Sequence, residues 1–378
     1  MTAFASAGCL AALVLAAACA EPSGPPSGIA DQLPATAADR APAGTISVYS
    51  QNLYVGANVD EVIAAFGVSQ EAALAALGQA VATLHRTSFP TRAAAIVDEI
   101  ARTRPDVIGF QEGSRIDVDL SPIGVPLVAH EDFLATLQAA LAARGLDQYA
   151  VVDTITNIQV SLLSGLVSLI DYDIMLVNTD RVTVGSTFKQ TFDHNNGLVN
   201  GINLIRGYVG AEVTVAGRDY VVVTTHTEGT DLSPLVDYHL LHAQQMQEIV
   251  DRVNLTGLPA IVMGDLNDSE QSPMYQIMLD AGFTDVWRAL RPGVAGPTCC
   301  HLDDLSDPTP NAGRFEQRID LVFVRGLGSA ARNVTGRITR FGLNPSDRLD
   351  GPDGAIWPSD HAGLEATLLF PPGPPSAP

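Results

Sequence analysis

The chain reads as an α/β protein in which helices cover β-sheets, and three features of its pattern point there. Short apolar runs rich in β-branched residues, such as 220–225 (YVVVTT) and 260–263 (AIVM), have the length and composition of buried strands. Amphipathic stretches with helical spacing, such as 93–102 and 234–253, lie between them. The two kinds of segment interleave along the chain, the order that layers helices on sheets.

Taken in order, 46–53 alternates apolar and polar residues and predicts a strand. Residues 93–102 predict a helix that stops before Pro105, and 107–111 a short apolar strand. Residues 130–144 have helical spacing, and 234–253 form the longest amphipathic pattern. The stretches 174–177, 319–324 and 362–370 complete the strands. The most apolar part of the interior, 158–170 (IQVSLLSGLVSLI), is too short to span a membrane. Gly165 near its middle suits a hairpin turn, but a buried strand or helix is the favoured expectation.

With 378 residues, 46% hydrophobic and 17% charged, the chain can bury a large core without disulfides and is not a disordered acidic tail. No repeat or internal linker interrupts 45–370, which predicts one domain of about 325 residues. Residues 1–19 lack charge and read as an export signal ending in AAAC, with Cys19 as the expected lipidation site. A plain signal peptide cut near Ala18 or Ala20 is the alternative, and both predict a secreted or cell-envelope protein. Residues 20–44, rich in Pro, Ala, Ser and Gly, predict a tether, and 371–378 a disordered tail.

The formal net charge is −21, and Lys189 is the only lysine. This composition disfavours a broad basic surface for nucleic acid, although a local arginine cluster or a metal ion could still hold phosphate. Arg115, Arg206 and Arg314 are the candidate cations. The four cysteines, at 9, 19, 299 and 300, show no zinc-ligand spacing. Cys299 and Cys300 form either a vicinal disulfide or two thiols, and His301 beside them is weak grounds for a metal site.

Polar residues stand where the predicted strands end: Asn52, Gln111 and Glu112, His226, Asp265 and Asn267. Asp320 lies inside RIDLVF, and Ser359, Asp360 and His361 precede the last strand. Each has an ordinary reading as a turn residue, a helix cap or a hydrogen-bonded histidine. Together they are metal-ligand and acid/base types gathered where α/β proteins place ligands. Asp265, Asn267 and Ser269 imitate the start of a calcium loop, but its glycine and terminal glutamate are missing. The GD of GDLND echoes binuclear metallophosphoesterases, whose early Asp-x-His and GNH are absent.

QN at 51–52, DVIGFQE at 106–112, TTH at 224–226, GDLN at 264–267, RIDLVF at 318–323 and SDH at 359–361 resemble, in order, the motifs of the endonuclease/exonuclease/phosphatase superfamily. The resemblance spans 45–370 and implies a four-layer α/β sandwich, two mixed β-sheets face to face with helices outside. It implies a Mg²⁺-dependent phosphoesterase, with Mn²⁺ or Ca²⁺ as alternative ions. Glu112 becomes the principal metal ligand, with Asn52 beside it and Asp360 a further candidate. Asp265 would orient or deprotonate the attacking water, while Asn267 and His226 contact phosphoryl oxygens. His361, paired with Asp320, would stay protonated or act as acid/base.

One departure concerns Tyr54, which stands where abasic-site endonucleases carry an aspartate; Asp60 and Glu61 replace it only if their loop folds back, and solvated loop residues are the favoured reading. The expected function is an extracytoplasmic nuclease or general phosphodiesterase, monomeric and held at the membrane by its lipid anchor. The alternatives are a phospholipid (sphingomyelinase-like) or inositol-phosphate phosphatase and, in a different class, a non-catalytic envelope binding lipoprotein. Bacterial sphingomyelinases enter lipid through an apolar hairpin, which is why 158–170 bears on the choice.

Overall fold

Strand β1 (Thr45–Asn52) is buried along its whole length and lies at the middle of a sheet rather than at an edge. The computed structural model describes residues 44–199, 202–229, 236–310, 315–326 and 334–370. Cys19, Arg314, the expected signal, most of the tether and the tail fall outside them.

Three helices follow β1: α1 (Val59–Phe66), α2 (Gln70–Thr87) and α3 (Phe89–Thr103). Next come β2 (Val107–Asp119), β3 (Val128–Asp132), α4 (Phe133–Ala143), β4 (Tyr149–Leu162) and β5 (Val167–Asn178). Strands β6 (Val182–Thr191), β7 (Gly197–Val199), β8 (Ile202–Leu204), β9 (Gly207–Val215) and β10 (Arg218–His226) lead to α5 (Tyr238–Asn254). The chain continues through β11 (Ala260–Asp265), α6 (Pro273–Asp280), β12 (Thr284–Asp285) and α7 (Val286–Leu290). It finishes with β13 (Asp320–Arg325), β14 (Thr335–Phe341), the small ribbon β15 (Leu349–Gly351) and β16 (Gly354–Ile356), and β17 (Gly363–Leu369).

One sheet has the order β14-β17-β1-β2-β5-β4-β8-β7, with β3 beside β2, and the other β12-β13-β11-β10-β9-β6. Both are mixed: β1 and β2 run parallel, as do β10 and β11, while their outer neighbours are antiparallel. Val48, Val107, Met175 and Val177 of the first sheet pack against Val209, Val222, Ile261 and Met263 of the second. The opposite face of the first sheet, through Tyr49, Ile108 and Phe110, buries Ile96 and Ile100 of α3 and Leu137 of α4. That of the second, through Val221 and Val223, buries Met246 and Ile249 of α5 and Met278 of α6. The result is the expected helix, sheet, sheet, helix sandwich, since strands apolar on both faces require cover on both sides.

Three local readings are corrected. The helix expected over 130–144 begins only at Phe133, because Asp132 caps it by accepting the Ala135 N–H at 2.9 Å while 128–132 pair with β2. The strand expected to end at Gln111 runs on to Asp119, because a register shift between Phe110 and Gly113 absorbs Glu112 as a bulge and pairing with β5 resumes. Residues 158–170 form neither a single buried strand nor a helix. They are the tip of the β4–β5 hairpin, turned at 163–165 with Gly165 at φ +92°.

Candidate active site

Strand register collects the site. Asn52 pairs with Gln111 at the ends of β1 and β2, which puts Glu112 one residue beyond. On the facing sheet His226 pairs with Asp265 and Asp265 with Asp320, so three functional side chains share one transverse row. At this end the sheets touch: Gln111 Nε2 donates to Thr224 Oγ1 at 3.0 Å, and a Cβ on Gly109 would lie 2.3 Å from that oxygen. Ser359 Oγ donates to the Asn52 carbonyl at 2.7 Å and thereby docks the 359–361 segment beside β1.

Asp265 is the hub. Its Oδ2 accepts from Asn52 Nδ2 at 3.0 Å and lies 3.6 Å from His226 Nε2 and 3.7 Å from His361 Nε2. Its Oδ1 accepts the Asn267 N–H at 3.0 Å, with Asn267 in the left-handed region at φ +46°. Burial pushes the Asp265 carboxyl up, but His361, His226 and the donated hydrogen bonds outweigh it and hold the group below its ordinary range.

His361 Nδ1 donates to Asp320 Oδ2 at 2.8 Å. Burial alone would lower this imidazole's pKa; the carboxylates of Asp320, Asp360 and Asp265 raise it well above the ordinary value instead. His226 has the opposite setting. Arg206 Nη1 donates to its Nδ1 at 3.0 Å, so that nitrogen must accept and the proton sits on Nε2, facing Asp265. Burial first, and then the Arg206 charge, hold His226 well below the ordinary imidazole range.

Glu112 Oε1 accepts from Asn52 Nδ2 at 2.8 Å and its Oε2 from the Val55 N–H at 2.9 Å. Asn52 Oδ1 accepts the Tyr54 N–H at 2.8 Å, so in this arrangement the amide clamps two carboxylates with its nitrogen. Asp360 lines the same cleft, where burial above all and the Glu112 charge raise its carboxyl to about 7. The three carboxylates of Glu112, Asp265 and Asp360 thus crowd one cleft of about 340 Å³. Hard oxygen donors with excess negative charge fit a divalent cation, which would relieve that crowding.

Of the expected cations, Arg206 lines the cleft, ion-paired with Glu228 at 3.4 Å. Arg115 does not: it lies on β2, exposed, beside Asp117. Tyr54, at φ +59°, turns its hydroxyl to the Asp303 carbonyl at 2.7 Å. Asp60 reaches the cleft wall from the first turn of α1, whereas Glu61 is exposed to solvent outside it. Cys299 and Cys300 are disulfide-linked and line the cleft, with Cys300 Sγ 3.9 Å from His361 Nε2. His301 is buried against Trp357 and bonded to Asp307 at 2.7 Å, which accounts for it without a metal.

Two contributors went unnoticed in the sequence. Arg92, fully buried, donates to the carbonyls of Leu53, Tyr54, Thr87 and Pro358, tying the loop after β1 to the segment before Ser359. Asp171, on β5, lines the cleft floor near Arg206, its carboxyl raised to about 7 chiefly by burial. Arg92 sits in an ordinary helical pattern and Asp171 in a hairpin; only the fold shows what either touches.

The family model described as endonuclease/exonuclease/phosphatase family matches residues 78–361, three quarters of the chain. The chain belongs to the endonuclease/exonuclease/phosphatase family. It is a metal-dependent phosphoesterase, and its substrate a phosphate ester. No curated protein matches the sequence. Among solved structures, a family member from Bacteroides thetaiotaomicron is 16% identical, with TM-score 0.54, over 86% of this chain and 95% of that one. The D. rerio TDP2 complex with single-strand DNA product gives 16%, TM-score 0.52 and coverages of 86% and 98%. A B. thetaiotaomicron mannosyl-6-phosphatase gives 16%, TM-score 0.52 and coverages of 86% and 100%. At such identities these likenesses establish the fold that family members share.

Proposed function

We propose that this protein is an extracytoplasmic, Mg²⁺-dependent nuclease or general phosphodiesterase. The observation that carries the reading is the placement of Asp265 between the imidazoles of His361 and His226, with Asn52 bridging it to Glu112. Asp265, held ionised, would orient and deprotonate the attacking water. His361, kept cationic by Asp320, would stabilise charge on the phosphoryl group or protonate the leaving oxygen. His226 would donate Nε2–H to a phosphoryl oxygen. Asn267 Nδ2 is engaged by the Thr227 carbonyl at 3.1 Å and would have to reorient to do the same. Glu112, with Asp360 beside it, would hold the cation, and Asn52 would keep Glu112 and Asp265 in register. A bound Mg²⁺ would neutralise the ester's charge and polarise the phosphorus.

A phosphodiester of nucleic acid is the first choice, supported by the TDP2 neighbour's DNA product. One observation favours a phospholipid as second reading: the β4–β5 hairpin brings apolar Ile158 and Leu169 to the cleft wall. Export through the 1–19 signal, anchoring through Cys19 and a monomeric state complete the proposal. Hydrolysis of plasmid DNA, bis-nitrophenyl phosphate, inositol phosphates and sphingomyelin liposomes, each with Mg²⁺ and with chelator, tests it. Cleavage of soluble diesters alone supports the first reading; cleavage confined to liposomes replaces it with the second. No hydrolysis of any of them in Mg²⁺ overturns both readings.

A further inference from the structure

Among the described residues, a group of metal-ligating side chains that shares no member with the catalytic set meets beside the loop carrying Asn267. His239 and His242 stand three residues apart in the first two turns of α5, and Asp268 lies three residues beyond Asp265. His239 Nδ1 is 2.9 Å from Asp268 Oδ2, and His242 Nδ1 is 3.2 Å from the same oxygen. The donor atoms of all three residues fall within 4.8 Å of one another.

His242 is the informative member. Its side chain is 1% exposed, and its Nε2 donates to the Glu228 carbonyl at 2.7 Å. A carbonyl can only accept, so this bond fixes a proton on Nε2 and aims Nδ1 at Asp268. A lone pair facing a buried carboxylate is unfavourable unless a proton or a metal lies between them. An imidazole whose far nitrogen donates to a backbone carbonyl is the usual arrangement of a metal-bound histidine. Asp268 is prepared in the same way: the Ser269 N–H donates to its Oδ1 at 2.8 Å, orienting the carboxylate toward both rings.

We propose that His239, His242 and Asp268 form a second metal site, distinct from the catalytic centre, that takes a zinc-like transition ion. With ligand bonds of about 2.0–2.1 Å, tetrahedral donors stand about 3.3 Å apart, so contacts of this length need little adjustment. Two imidazoles and one carboxylate suit Zn²⁺, whereas Mg²⁺ prefers oxygen donors and retains its waters. The two centres therefore differ in the ion they select. The open coordination position would face the neighbouring recess of about 490 Å³, which His239, Asn267 and Asp268 line. An ion there ties the start of α5 to the loop carrying Asn267, stiffening that rim of the catalytic cleft.

The test uses the full protein with its catalytic ligands neutralised, as the E112Q–D265N variant. After equilibration with Zn²⁺ and desalting, this variant should retain a single equivalent of zinc by elemental analysis. Loaded with Co²⁺, it should show visible ligand-field bands of a low-coordinate N/O site. Adding His239→Ala should abolish both; His239 is 70% exposed, so the fold is not at risk. As a second measurement on otherwise native protein, micromolar Zn²⁺ should raise Tm more in the wild type than in H239A. Absence of retained zinc in E112Q–D265N, or an undiminished equivalent after H239A, overturns the proposal. Equal Tm shifts in wild type and H239A do so as well.

Discussion

His361 donates from Nδ1 to Asp320 Oδ2 at 2.8 Å, which leaves Nε2 free to face the cleft and Asp265. The pairing fixes the ring's orientation and its charge together, because a buried imidazolium needs a carboxylate nearby. Asp320→Asn keeps the shape but removes the charge. The pKa of His361 should then fall, and the alkaline limb of the kcat/KM profile should move toward acid, read from the rate between pH 6 and pH 10. The same group links pH to stability. Its folded pKa lies above the unfolded value of about 6.5, so its contribution is complete below that pH and is lost as pH rises through the folded pKa.

Asp265→Asn keeps the side chain's shape, but it turns one of the two acceptor oxygens that Asn52 Nδ2 and the Asn267 N–H use into a donor, and it cannot take the water's proton. The expected outcome is a fall in kcat of about 10²–10⁴-fold with KM nearly unchanged, measured on bis-nitrophenyl phosphate.

Metal dependence should itself vary with pH. Asp360, raised to about 7 by burial and by its neighbours, must lose its proton to help hold a cation. The Mg²⁺ concentration for half-maximal rate should rise by up to about tenfold per unit as pH drops below 7. Asp360→Asn should flatten this dependence.

Arg206 neutralises a buried acidic set, with Glu228 at 3.4 Å and Asp171 at 4.0 Å, while donating to His226. Arg206→Met leaves those carboxylates uncompensated and should cost about 3–5 kcal/mol in urea unfolding. It should also let His226 take up a proton nearer neutral pH, visible by NMR titration of its ring.

Gly264 precedes Asp265 at φ +151°, and a Cβ there would lie 1.8 Å from the Thr225 carbonyl oxygen. Gly264→Ala must push β10 and β11 apart where His226 and Asp265 pair, so stability should fall by about 1–3 kcal/mol and kcat with it. Unfolding and rate measurements on the same preparation check both.

Asn52, Glu112, His226, Asp265, Asp320 and His361 were visible in the sequence because each is polar beside an apolar, β-branched run, where a strand's interior would exclude it. The layers were visible for a related reason, since strands apolar on both faces require cover on both sides. What escaped depended on contacts between distant segments. Glu112 looked like the end of a strand, yet a bulge at φ +56° lets β2 continue while re-aiming that side chain. Arg115 looked like a cleft cation, but with the strand continuing it lies on β2 against Asp117. The apolar run at 158–170 has the same composition whether buried or turned, and Gly165 alone did not decide for a hairpin. Arg92 gave no signal at all, because its four carbonyl partners are brought together only by the packing of α3 on the loop after β1.

The most direct test is the rate of bis-nitrophenyl phosphate hydrolysis by the purified protein in Mg²⁺, in chelator, and in the D265A and H361A variants. Activity that needs Mg²⁺, vanishes with chelator and falls at least about 100-fold in each variant is the predicted result. Hydrolysis that survives chelation, or persists in both variants, would contradict the assignment of this cleft as the catalytic centre.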